Sequence, residues 1–223
     1  MRSILLALLI SLLIMGCNPQ ITGDTIQEEQ IDIYEQMMRN SNRVESFSYN
    51  SSETGNKLLY YNRYVKAYLN EPRVKDGEKY DIVYMDRINK VALGRCSTEL
   101  CGEKDLEFVE VEYSEFYELD PIEWTYRYTA PVYVGEEMFG QHIAEVFNIT
   151  SLTGDEGRVW IQQYYGIPLK IEFDEKTIDF INLRINTVMI GHVQLPIAFN
   201  VSGEQYEFGW YGYLNEEFGE EFN

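Results

Sequence analysis

Apolar positions change their spacing near residue 42, and the change divides the chain into a helical and a sheet-forming part. Ile26, Ile33 and Met37 recur at helical intervals with Tyr34 and Met38 beside them, while the intervening Glu and Gln residues point away. Thr25-Ile26-Gln27-Glu28 supplies a capping box, whose hydroxyl and carboxylate satisfy the first free N–H groups. The spacing predicts an amphipathic helix from about 25 to 40 that covers one face of a sheet. After Asn42 the period is two. Lys57 to Leu69 predicts one long strand, with Tyr60, Tyr64 and Tyr68 on one face and Leu59, Tyr61, Val65 and Leu69 on the other. Lys79–Met85 and Lys90–Cys96 flank the polar corner Asp86-Arg87-Ile88-Asn89 and predict a hairpin. Glu107–Tyr113 alternates Val109, Val111 and Tyr113 against Glu110 and Glu112, and Pro121–Trp124 predicts a short helix. The last third predicts strands at Gln141–Thr150, Arg158–Tyr165, Leu169–Phe173 and Thr177–Asn186. They are separated by Thr153–Gly157, Gly166-Ile167-Pro168 and Asp174-Glu175-Lys176. Connections this short exclude crossovers and predict an antiparallel meander. No repeat or interior linker interrupts residues 24–214, which predicts one domain followed by an acidic tail at 215–223.

The N-terminus carries a different pattern. Arg2 precedes an apolar run from Ile4 to Met15, too short for an ordinary membrane span and suited to a secretory signal. The run ends at Ile14-Met15-Gly16-Cys17, which resembles a prokaryotic lipobox. Cleavage after residue 16 would leave acyl chains on Cys17 and a short tether over 17–23. The mature protein is then expected outside the cytoplasm, held to a cell membrane by its lipid, with each buried CH₂ contributing about 0.8 kcal/mol.

Composition agrees with a sheet. Tyr (18) and Phe (11) are abundant, and with Val and Ile they suit pleated, half-buried surfaces, predicting a mainly β fold of the α+β type. The 37 acidic residues against 18 basic ones give a net charge of −19, which excludes nucleic acid as a partner because phosphate binding needs a basic footprint. Removal of residues 1–16 takes away one cation and no acid, so the mature chain is more acidic still. It is therefore the tether, not surface charge, that is expected to keep it at the membrane.

Candidate chemistry is sparse. Cys96 and Cys101 enclose four residues and, in an exported protein, predict a local disulfide at a strand end. His142 and His192 lie in no metal-binding spacing, and the acidic pairs show no calcium-loop pattern. No nucleophile elbow, P-loop or dinucleotide fingerprint is present, so neither catalysis nor a metal or other cofactor is expected.

The run Arg158-Val159-Trp160-Ile161-Gln162-Gln163-Tyr164-Tyr165-Gly166-Ile167-Pro168-Leu169-Lys170-Ile171-Glu172-Phe173 resembles a signature of the lipoprotein-carrier-like superfamily. There a Val-Trp-Ile strand meets a Gly-hydrophobic-Pro-Leu break and continues as the next strand. The resemblance covers residues 140–186 and reaches the early strands only in layout. It implies a curved antiparallel sheet, an incomplete β-barrel with a covering N-terminal helix, and a concave apolar face that carriers use for acyl chains. An arginine contact inside the cavity is also implied, and Arg63 on the long early strand is the nearest candidate, although its residue pattern favours an ordinary exposed strand arginine.

On that basis the chain is expected to bind an apolar ligand, a lipid or acyl chain, in a half-barrel cavity. The lining would come from Tyr60, Tyr64 and Tyr68 or from Leu59, Tyr61, Val65 and Leu69, with Trp160. The alternative is an envelope interaction or sensor module without a small-molecule ligand, its cavity filled by its own side chains.

Overall fold

The computed structural model describes residues 33–101, 107–174, 176–195, 198–201 and 204–207. The signal segment, Cys17, the tether, the capping box and the tail at 215–223 lie outside them. Residues 33–41 are helical, as the periodicity predicts. The strands, in chain order, are β1 (Ser46–Ser51), β2 (Lys57–Tyr61), β3 (Tyr64–Lys75), β4 (Glu78–Asp86), β5 (Val91–Arg95), β6 (Glu107–Val111) and β7 (Tyr128–Phe139). They continue as β8 (His142–Ser151), β9 (Glu156–Gln162), β10 (Pro168–Phe173), β11 (Lys176–Ile185), β12 (Ala198–Val201) and β13 (Glu204–Glu207).

These form one open sheet in the order β13-β12-β6-β5-β4-β3-β2-β1-β11-β10-β9-β8-β7, which does not close into a barrel. Two meanders, β1 to β6 and β7 to β11, are joined where β1 pairs with β11. All described pairings are antiparallel except β6 with β12, where the chain returns to the far edge after finishing the second meander.

The hairpin at Asp86 forms because its side chain closes the corner. Asp86 Oδ1 accepts from the N–H groups of Ile88 (3.0 Å) and Asn89 (3.2 Å), and Asn89 Nδ2 donates to Asp86 Oδ2 at 2.9 Å. Pro121–Trp124 is a one-turn helix with a complete capping box, in which Asp120 Oδ1 accepts from Glu123 N and Glu123 Oε2 accepts from Asp120 N.

The predicted single strand over Lys57–Leu69 is instead a tight hairpin. Asn62 takes a left-handed backbone (φ +51°), so the chain reverses at Asn62-Arg63 and Tyr61 pairs with Tyr64. The reversal regroups the faces. Leu58 and Tyr60 lie with Ala67 and Val65 in the core, whereas Lys57, Leu59 and Tyr61 lie with Tyr68, Lys66 and Tyr64 on the outer face. Asn-Arg lacks the glycine that marks a primed turn, and apolar residues continue on both sides, so period alone cannot show the fold-back.

The inner face is packed by aromatic and β-branched side chains. Phe47, Tyr49 and Tyr60 stack in a row, and Phe180 meets Tyr49 edge-on at 5.1 Å. Helix 33–41 lies on this face: Met37 is buried, Tyr34 meets Phe147 edge-on at 5.5 Å, and Ile33 and Met38 pack beside them. The helix rests on the β9–β10 break, where Gly166 (φ +69°) faces the Met37 carbonyl. Ile167, Leu169 and Ile171 beyond that break are fully buried, each contributing about 1.5–3 kcal/mol.

Candidate functional site

Three regions carry chemistry: a polar lock at the β4–β5 corner, the two sides of the sheet around the β2–β3 hairpin, and the β7 edge. At the lock, Arg87 Nη1 donates to Asp120 Oδ2 at 2.7 Å, and its Nη2 pairs with Glu123 Oε1. Burial alone would weaken the guanidinium's charge, but Asp120 and then Glu123 more than compensate and hold it protonated. Asp120 is buried, and that burial outweighs Arg87 and raises its pKa. Burial, then hydrogen bonding to Glu123, pushes the Tyr117 hydroxyl up to about 12.

A cavity of about 800 Å³ opens beside this lock, lined by Asn62, Arg63, Lys90, Tyr113 and Tyr117 among others. Arg63 therefore lies in a turn, half-buried, with Nε 3.6 Å from Asp86 Oδ2 and its guanidinium over the Tyr64 ring. It is not an exposed strand arginine.

The expected ligand-lining residues are divided between the two sides of the sheet. Tyr60 and Val65 are buried on the inner face, and Leu69 packs against the same core. The Tyr60 and Tyr49 hydroxyls sit 3.3 Å apart, and burial raises the pKa of both well above the ordinary tyrosine value. Leu59, Tyr61, Tyr64 and Tyr68 face outward, where Lys66 Nζ sits 4.8 Å above the Tyr68 ring. Trp160 is also on the outer side: Lys170 covers its ring and its Nε1 donates to Glu137 Oε2 at 2.8 Å. The sheet itself separates Tyr60, Val65 and Leu69 from the other five.

The β7 edge was not legible in the sequence. Tyr128–Phe139 carries two irregularities in its pairing with β8, around Pro131 and Gly135, and these break the alternation that marks a strand. Val132, Val134, Met138 and, on β8, Ile143 are exposed here. Glu136 stands directly opposite Glu145, and Gln163 Nε2 donates to both carboxylates, at 3.1 and 2.8 Å. Burial pushes the Tyr133 hydroxyl up to about 12, helped by hydrogen bonding with Glu145 and by the charges of Glu145 and Glu136.

Cys96 and Cys101 are brought to disulfide distance, with Cα atoms 6.0 Å apart, flanking the one-turn helix Thr98–Cys101. Replacing both by Ser is expected to lower unfolding free energy by about 2 kcal/mol, the chain-entropy value for so short a loop, read from urea midpoints. An unchanged midpoint with two titratable thiols in the native protein would refute the pairing. His192 Nδ1 accepts from Met189 N at 3.2 Å and His142 opens β8; neither joins a group of metal ligands among the described residues.

No family model matches the chain, and no curated protein matches it significantly. Solved structures do. An uncharacterized conserved protein from Thermus thermophilus is similar over 75% of this chain and 96% of its own, at 11% identity and a TM-score of 0.40. A chain of the Pseudomonas aeruginosa MucA/MucB complex is similar at 12% identity, with a TM-score of 0.39. That match spans 75% of this chain and 61% of the matched chain of the complex. A LolA superfamily protein from Nitrosomonas europaea is similar over 73% of this chain and 98% of its own, at 10% identity and a TM-score of 0.30.

Proposed function

We propose that this protein is a lipid-tethered extracytoplasmic interaction module that acts by binding, without catalysis, and that it docks an extended segment of another envelope protein along β7. The filled inner face carries this reading. Met37, Phe47, Tyr49, Leu58, Tyr60 and Phe147 are buried against one another where a half-barrel carrier would be hollow. Four of the large apolar residues left exposed, Val132, Val134, Met138 and Ile143, lie together on β7, the last strand of the described sheet, and the start of β8. A terminal strand presents backbone groups to a partner, and extended segments add to such edges by main-chain hydrogen bonds.

Mass spectrometry of the full chain tests both halves of this reading. Protein extracted from membranes of a bacterial host is expected to carry covalent acyl chains on Cys17. After delipidation, native spectra with added phospholipid are expected to show no stoichiometric adduct. A one-to-one phospholipid adduct would replace the interaction module with an apolar-ligand carrier.

A further inference from the structure

Glu145 occupies a position that a strand rarely gives to a carboxylate. It is 6% exposed, and it lies on the inner face of β8 with Phe147 two residues on. Its carboxylate takes hydrogen bonding from Gln163, at Oε1, and from the Tyr133 hydroxyl, but Oε2 is shut from solvent with no partner in close hydrogen-bonding geometry. Directly across the β7–β8 pair stands a second carboxylate, Glu136, in register with it. Like charges placed opposite one another on one face of a sheet repel, and burial strengthens that repulsion. Among the described ion pairs, neither carboxylate has a cationic partner. Next along the same face, Met138 lies opposite Ile143, and both are exposed, which gives the notch an apolar rim. Tyr133, opposite Phe147, closes its other side.

A buried anion with an unused oxygen, a second anion beside it and an apolar rim complement one kind of group. That group is a cation on an aliphatic stem, whose methylenes pack on Met138 and Ile143 while its head reaches the acids. We infer that Glu145 and Glu136 form a specificity notch for a lysine or arginine side chain of an extended partner segment lying along β7. The inference rests on the β7 docking reading and adds the chemistry of the partner. A second copy of this chain does not fit, because a net charge of −19 and the edge acids Glu136 and Glu137 repel it.

The probe is a short peptide of alternating valine and lysine, compared with the same peptide carrying glutamine for lysine. Binding is followed by fluorescence anisotropy and by hydrogen exchange of the β7 amides. The lysine peptide is expected to bind with an affinity that falls with salt and to protect Glu136–Phe139. Glu145→Gln should weaken it about tenfold or more, while Glu110→Gln, at an exposed position of β6, leaves it unchanged. Glu145→Gln removes a buried, incompletely partnered charge, so its melting temperature should not fall, and this separates lost binding from lost fold. If both peptides protect β7 equally and Glu145→Gln has no effect, the notch is refuted and β7 docking stands. If neither peptide protects β7, both fail. If N-acetyl-lysine amide competes as well as the lysine peptide, the occupant is a small free cation and the extended-segment inference is overturned.

Discussion

Gly166→Ala is expected to destabilise the protein by about 4 kcal/mol or more, the range reserved for core disruption and forced backbone strain. Gly166 has φ +69°, a conformation that costs a residue with a side chain about 1–2 kcal/mol. The larger effect is steric. A methyl group there would overlap the Met37 carbonyl oxygen and carbon and come within 3.1 Å of its Cα. These are backbone atoms of helix 33–41, so no rotamer change relieves the clash. Either the helix lifts or the β9–β10 break distorts. Lifting exposes Met37 and separates Tyr34 from Phe147; distortion disturbs the fully buried Ile167 that follows. Denaturant midpoints measure the loss, and limited proteolysis after helix 33–41 reports which element yields. Gly191, exposed with open space around it, is the matched control, and Gly191→Ala should stay within about 0.5 kcal/mol. A Gly166→Ala loss under about 1 kcal/mol would show that the helix does not rest on this glycine.

Arg87→Met is expected to cost about 3 kcal/mol at pH 7, because it removes one partner of a buried ion pair and leaves the other charged. Asp120 is 3% exposed and keeps only backbone hydrogen bonds from Glu123 and Ile122. The cost depends on pH in a direction set by Asp120. Its folded pKa is already raised, by burial first, and loss of Arg87 removes the main opposing charge. A carboxyl with a raised folded pKa contributes stability while protonated, and loses it as pH rises through the folded value. The gap between variant and parent should therefore narrow as pH falls from 7 toward 5. Parallel urea titrations at the two pH values check this. A gap independent of pH would assign the loss to packing of the arginine against the Tyr60 ring, 5.7 Å from its guanidinium, instead of to the unpaired buried charge of Asp120.

Much of the second meander was readable because its signals are local and agree with one another. Gly166-Ile167-Pro168 breaks one strand and starts the next, and Leu169 and Ile171 alternate with Lys170 and Glu172 as an inner face requires. The Asp86 corner and the short helix at Pro121–Trp124 were equally visible, since each is closed by side chains a few residues away. The first meander misled at Asn62-Arg63, where the turn is made by an asparagine in a left-handed backbone between two apolar runs. That one residue moved Tyr64 and Tyr68 from the side of Tyr60 to the opposite face. β7 escaped notice because Pro131 and Gly135 fall where its pairing is irregular.

The sequence by itself determined the secondary-structure class, the antiparallel run β8 to β11, the covering helix and the acidic charge. Each of these follows from period, composition or a turn of a few residues. Only the tertiary structure decided which residues share a face, that the helix and aromatic rows fill the inner side, and that Glu136 and Glu145 stand together at an exposed edge. Those outcomes depend on cross-strand register and on contacts between residues far apart in the chain. Neither is encoded in any local window of the sequence.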